Sequence, residues 1–260
     1  MRPSDDVLAA FGLAGPARPL DGGQGESFRA GDAVLKPAGD AQEAEWSARV
    51  LGGLPGADGF RVPRPLRSRD GGHVAGGWAA AEFTEGTPGP GGRWADLLAA
   101  GRAFHRALRH LPRPALLDRR EHAWAVADRI AWEEREPPRG PADLLERLRR
   151  VPSPAGAPSQ LVHGDLTGNV LFHPERPPAV IDFSPYWRPA GYAEAVVVAD
   201  GLLYHGADPA LIEQVDGGAR MVARALVFRL ATSVLLPGAI PREEVERFAR
   251  ATGVVEAAVR

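Results

Sequence analysis

The segment Glu85-Gly86-Thr87-Pro88-Gly89-Pro90-Gly91-Gly92 is the richest glycine and proline stretch in the chain, and the hydrophobic pattern changes character across it. Glycine loosens the backbone and proline removes an N–H and fixes φ, so neither a helix nor a sheet ladder runs easily through such a segment. Before it, turn-punctuated apolar runs predict five short strands at 18–20, 27–30, 33–36, 62–67 and 78–84. They also predict one helix over 41–54, where Trp46, Val50, Leu51 and Leu54 share a face. After it the period becomes helical, over 94–111, 119–130 and 141–151. A strand-rich island follows (161–162, 170–172 and 179–181), and helices resume at roughly 190–204, 208–235 and 241–259. The expected organisation is α+β: residues 1–84 as an antiparallel five-stranded sheet with one helix, 85–92 as a linker, and 93–260 as a mainly helical part.

Composition narrows the function classes. With 31 basic and 33 acidic residues the net charge is −2, so no overall field draws the chain to nucleic acid or to an anionic membrane, and neither is expected as a partner. There is no cysteine, which excludes disulfides, a thiolate nucleophile and cysteine-ligated zinc. The longest uncharged apolar run, 230–240, has 11 residues and contains Pro237, well short of the ~20 that a membrane helix needs. The first residues, MRPSDDVLAAFGLAG, carry acids where a signal peptide carries bases, so a cytoplasmic protein is expected. Thirty of the 31 basic residues are arginine; Lys36 is the single lysine and Asn169 the single asparagine. In a composition that drifts away from these two residue types, the survivors mark positions where the exchange is not tolerated.

Asn169 stands in LVHGDLTGNVLF, which AVIDFSPYW follows, and together these place His163, Asp165, Asn169 and Asp182 at turns between short apolar strands. Magnesium prefers hard oxygen ligands and is commonly held by one or two protein groups together with substrate phosphates, which suits Asn169 and Asp182. Asp165 is then the candidate base for an incoming hydroxyl. In the first part of the chain, Gly22, Gly23 and Gly25 remove side chains from a hairpin turn, so that backbone N–H groups can approach phosphate oxygens, and Ser27 adds a hydroxyl. Lys36, ending a strand in VLKP, offers a compact ammonium to phosphates. Glu43, which shares a helix face with Trp46 and Val50, is the expected carboxylate behind it, and the backbone of Glu82 and Thr84 is expected at the adenine edge.

In this order, VLKP, EAEW, AAAEFTEG, HGDLTGN and VIDF resemble the aminoglycoside phosphotransferase and choline kinase group, relatives of the protein kinases, over roughly residues 18–205. The resemblance implies a two-lobed kinase-like fold, ATP and Mg2+, and a small-molecule hydroxyl acceptor such as an aminoglycoside, amino sugar or amino alcohol. It also implies Asp165 as base, Asn169 and Asp182 on the metal, Lys36 on the phosphates, and His163 bracing the catalytic loop. The chain departs from the pattern in two places: Asp165 to Asn169 is a step of four where the kinase signature has five, and Asp182-Phe183-Ser184 stands where that signature has Asp-Phe-Gly. A module that binds nucleotide without turnover is therefore the alternative reading, and a metal-dependent hydrolase on His163, Asp165 and Asp182 leaves VLKP unexplained. His105 and His110, set among arginines, read as surface residues. Trp124, Trp132, Glu133 and Glu134, or Trp187, Arg188, Tyr192, Asp200 and Tyr204, are candidates for an acceptor pocket.

Overall fold

The structure is a computed structural model that describes residues 2–20, 25–56, 58–137, 140–152 and 156–260. In chain order the elements are α1 (Asp5–Ala10), β1 (Arg18–Pro19), β2 (Phe28–Ala30), β3 (Ala33–Pro37), α2 (Ala41–Gly52), β4 (Val74–Ala75), β5 (Trp78–Glu82), β6 (Thr87–Pro88), α3 (Trp94–Leu108), α4 (Ala123–Ala131) and α5 (Ala142–Arg150). Then come β7 (Gln160–His163), β8 (Val170–Phe172), β9 (Ala179–Val180), β10 (Pro185–Arg188), α6 (Ala190–Tyr204), α7 (Gly218–Leu235) and α8 (Arg242–Val259). The chain divides into two compact units: Met1–Pro88 with Leu171–Phe183, and Gly89–Val170 with Ser184–Arg260. No helix among the described residues is long and apolar enough to cross a membrane.

The first unit carries a five-stranded sheet in the order β1-β2-β3-β5-β4. Phe28 pairs with Leu35, and Leu35 with Ala80, in antiparallel register. Side chains alternate across a strand, so burying Leu35 and Ala33 on one face of β3 leaves Lys36 on the other. The buried face packs Phe28, Ala30, Leu35, Trp78 and Ala80 against Val7 and Leu8 of α1 and Phe11 at its C-cap. That helix is absent from the pattern-based expectation, although Ser4 caps it by accepting from the Val7 N–H and Asp5 and Asp6 fill its first turn.

The five strands are not all those expected. Residues 62–67 pair with β5 at a single bridge, Pro65 to Ala81, flanked by bonds from the Leu66 N–H to the Ala80 carbonyl at 2.8 Å and from the Glu82 N–H to the Arg64 carbonyl at 2.9 Å; the pairing extends no further as a strand, and β4 takes the fifth place in the sheet. The reason is in the sequence RVPRPLR, where Pro63 and Pro65 lack the N–H that a ladder requires. Arg61 ties this segment to others far away in sequence, donating to the carbonyls of Pro177 and Glu85 at 2.9 and 2.6 Å. β6, β8 and β9 form a separate three-stranded sheet.

The second unit is helical around α6 and α7. α6 (AGYAEAVVVADGLLY) is apolar on nearly all sides and buried along most of its length, as befits a central helix. Its two acids are paired inside: Glu194 takes a bidentate pair from Arg102 at 2.8 Å, and Asp200 takes one from Arg229 of α7. β7 and β10 pair antiparallel, with His163 opposite Pro185 and Val162 opposite Tyr186. Arg188 is bound to Asp128 and Glu134 and lies over the Trp132 ring, so these residues and the buried Tyr192 serve the packing of this unit.

Candidate active site

In the second unit, β7 delivers His163 and the following turn delivers Asp165. Gly164 sits between them because a Cβ there would run into the ring of the buried Tyr186. The Gly164 N–H donates to the Ser184 carbonyl at 3.0 Å. His163 is fully buried, and its Nδ1 accepts from the N–H groups of Asp165 and Ser184 at 3.2 and 3.5 Å. A ring nitrogen that accepts two backbone N–H groups organises the turn rather than moving protons.

His105 supports the same turn from α3, its Nε2 accepting the His163 N–H at 3.1 Å. It is 2% exposed, not a surface residue as its arginine-rich surroundings suggested, because the buried face of α3 runs through Gly101, His105 and Leu108. Burial, and then the His163 ring alongside, push its pKa down to about 3, so the ring is neutral. Gly101 leaves room for Leu166 of the HGDLTGN turn, whose Cδ1 lies 2.7 Å from where a Cβ would stand.

The short loop closes as a tight turn. Gly168 adopts φ +82°, a left-handed conformation suited to glycine, and the Asn169 N–H donates to the Leu166 carbonyl at 3.0 Å. The Asn169 side-chain Nδ2 then donates to the Asp165 carbonyl at 2.7 Å and to Asp165 Oδ2 at 3.3 Å. With its nitrogen so engaged, the amide presents its oxygen as a hard donor. Asp165 Oδ1 accepts from Arg229 Nη2 at 2.9 Å, and Arg229 in turn holds Asp200 through Nε and Nη2 at 2.7 and 2.6 Å. The Asp165 side chain is 46% exposed, against 12% for Arg229 and 6% for Asp200.

A cavity of about 380 Å³ adjoins this cluster, lined by Trp124, Thr167, Asp200, Tyr204, Arg229 and Glu244 among others. Thr167 Oγ1 is buried without a partner among the described residues. Burial, and then the nearby Glu244 and Asp200 carboxylates, push the Tyr204 hydroxyl up to about 12, which keeps it a neutral donor. Of the candidate pocket residues, Trp124, Asp200 and Tyr204 line the cavity, whereas Trp132, Trp187, Arg188 and Tyr192 do not.

In the first unit, Lys36 Nζ forms an ion pair with Asp182 Oδ1. The partner expected from the sequence was Glu43; the carboxylate that the structure sets against the ammonium is Asp182. Asp40 caps α2 by accepting the Glu43 N–H at 3.0 Å, so Glu43 occupies the first turn of the helix in an Asp-x-x-Glu arrangement that favours a helix start. Its neighbour Glu45 binds His73 and the Val74 N–H. Asp182 holds φ +52°, a conformation uncommon outside glycine but tolerated by aspartate, and the next residue, Phe183, stacks on Trp46 at 6.3 Å. Gly25 is exposed with φ +73°, and Ser27 accepts the Leu20 N–H through its carbonyl; Gly22 and Gly23 lie outside the described residues. The Glu82 N–H is taken by the Arg64 carbonyl at 2.9 Å, and Thr84 Oγ1 reaches the Glu82 carbonyl at 3.5 Å. The described residues contain no cluster of three or more His, Cys, Asp or Glu side chains able to hold a metal, so any metal here would use mixed amide, carboxylate and phosphate oxygens.

This fold is shared with small-molecule kinases. A spectinomycin phosphotransferase solved with ADP and spectinomycin aligns with a TM-score of 0.59 and 17% identity over 98% of this chain and 95% of that one. A choline/ethanolamine kinase family protein from Mesorhizobium loti aligns with a TM-score of 0.59 and 20% identity over 98% of each chain. A thermostable mutant of an aminoglycoside phosphotransferase aligns with a TM-score of 0.54 and 16% identity over 98% of this chain and 97% of that one. No curated protein sequence matches the chain. The model of the phosphotransferase enzyme family matches residues 16–186, which include Lys36, the HGDLTGN turn and Asp182; the chain belongs to that family and is a small-molecule phosphotransferase.

Proposed function

We propose that this enzyme transfers the γ-phosphoryl group of ATP to a hydroxyl of a small molecule held in the cavity beside Asp165. The observation that carries the reading is the clamped carboxylate: Asp165 is held on one oxygen by Arg229 and on the other by Asn169, yet keeps nearly half of its side chain exposed. The cavity shares Arg229 with that clamp and Thr167 with the catalytic turn, and its unpartnered Thr167 hydroxyl is a group for a polar ligand to satisfy. Its size falls within the range of about 300–1,000 Å³ usual for small-molecule sites.

In this reaction the acceptor oxygen bonds to the γ-phosphorus and the bond from that phosphorus to the β,γ-bridging oxygen breaks. ADP leaves with the electron pair, and the hydroxyl proton passes to the Asp165 carboxylate. Lys36 supplies a compact positive charge for the phosphate oxygens, and Gly25 and Ser27 line the hairpin assigned to cover them. When bound, Mg2+ would supply charge neutralisation there, and each assigned donor has the chemistry for it: Asn169 would offer an amide oxygen, its nitrogen being occupied, and Asp182 a carboxylate oxygen. The Glu82 carbonyl and the Thr84 backbone are assigned to the adenine edge. Use of ATP accords with a cytoplasmic setting.

The test is ADP release from Mg·ATP by the pure protein, alone and with pooled aminoglycosides, amino sugars, amino alcohols and nucleosides, with Asp165→Asn as the control. Release stimulated by one pool and lost in the variant is the expected result, with ATP affinity retained. Bound ATP with no release in any pool favours the reading as a nucleotide-binding module, and undiminished turnover in the variant removes Asp165 as base.

A further inference from the structure

We infer that Arg229 is a positioning residue for the transfer reaction, holding the carboxylate of Asp165 at the angle at which it meets the acceptor hydroxyl. This rests on the assignment of Asp165 as base. α7 is far from the catalytic turn in sequence, and Arg229 is one of three arginines in it and of thirty in the chain, so nothing in the local pattern marks it. The geometry does. The buried Asp200 fixes the plane of the guanidinium through two hydrogen bonds at 2.7 and 2.6 Å, and a planar fork fixed on one side has little freedom left on the other. From that fixed plane Nη2 reaches Asp165 Oδ1 at 2.9 Å, while Asn169 takes Oδ2.

A pair that served only to neutralise Asp200 would be complete without Asp165. The third contact runs instead from a 12% exposed cation to a half-exposed carboxylate on a loop, where a single free χ rotation would otherwise decide which oxygen faces the substrate. Catalytic groups are sensitive to small misplacements, and a neighbour that removes such a rotation raises the fraction of productive encounters. Arg229 also lines the cavity, so the group that fixes the base borders the space assigned to the acceptor.

Arg229→Gln alone would strand Asp200 as a buried, unpaired charge, a change that can prevent folding. The experiment therefore compares Arg229→Lys with the double variant Arg229→Gln/Asp200→Asn, which replaces the buried pair with two amides. Each is also made in the Asp165→Asn background. ADP release from Mg·ATP is measured with water as the acceptor, and thermal unfolding reports on integrity; if the double variant does not fold, Arg229→Lys carries the same cycle.

The expected result is a kcat lower by about tenfold or more, within what a positioned base contributes, with KM for Mg·ATP changed less than about twofold. Arg229→Lys, which keeps the charge but not the fork, recovers part of the loss. In the Asp165→Asn background the same changes cost little more, because groups acting as one unit are not additive. An undiminished kcat in a folded variant, or an equal loss with and without Asp165, overturns the inference and leaves the pair as structural. Wild-type ADP release that Asp165→Asn does not lower overturns the base assignment, and the inference falls with it.

Discussion

His105 makes the HGDLTGN turn a pH-dependent part of the fold. Its ring is 2% exposed, accepts the His163 N–H and has its pKa pushed down to about 3, whereas in the unfolded chain it titrates near the ordinary value of about 6.5. Between these two values the unfolded state binds a proton that the native state refuses, so stability rises with pH through this window and is lost as pH falls. Each pH unit is worth about 1.4 kcal/mol, so the step from pH 6.5 to pH 5 removes roughly 2 kcal/mol through this one group. Acidic groups elsewhere in the fold add their own pH dependence, and the useful quantity is therefore a difference. His105→Gln can still offer an oxygen to the His163 N–H but has nothing to protonate. Urea unfolding at pH 7.5 and pH 5 should show the wild type losing about 2 kcal/mol more than the variant between the two conditions. Equal losses would refute both the depressed pKa and the claim that His105 stays neutral in the fold.

Three further outcomes follow from the site. Gly164→Ala drives a Cβ into the Tyr186 ring between His163 and Asp165; it should lower the thermal midpoint by several degrees and reduce turnover together, and a variant with normal melting and kinetics would remove the steric argument. Lys36→Arg exchanges a compact ammonium for a planar fork beside Asp182 and should raise KM for Mg·ATP by about tenfold or more; near-normal kinetics would undo the Lys36 assignment. Asp182→Asn keeps a residue type that accepts the left-handed backbone at this position, so the fold should melt within a few degrees of wild type while Mg·ATP binding, followed by calorimetry, weakens markedly. Unchanged binding would exclude Asp182 from the metal.

The parts of the molecule that were legible in the sequence are those in which rarity and period coincide. Lys36 and Asn169 stood out because each is the single residue of its kind, and the HGDLTGN turn because it interrupts a helical pattern with short apolar strands. What stayed hidden depended on long-range partners. Nothing near Lys36 says that its ammonium meets a carboxylate at 182, and the helical neighbour Glu43 was the local choice. Arg229 is invisible among thirty arginines until α6 places Asp200 against it. The strand expected over 62–67 shrinks to one bridge with β5 for a local reason, since two prolines outweigh its apolar alternation, and α1 was missed although Ser4-Asp5-Asp6 is a legible helix start. His105 was misread because its basic neighbours drew more weight than its place one turn from Gly101 and Leu108.

The first unit is not a continuous piece of chain. It leaves at Pro88 and is completed only by Leu171–Phe183, which bring β9, the Pro177 carbonyl that Arg61 binds and the Asp182 that pairs with Lys36. During synthesis the unit therefore waits for some 95 further residues after Pro88, roughly 5–19 s at ordinary elongation rates, before its last segment emerges. Its β6 stands without a partner strand through that interval, because β8 has not yet been made. A fragment ending at residue 88 is thus not a smaller folded unit but an unfinished one, and grafting this unit onto another protein requires carrying both segments.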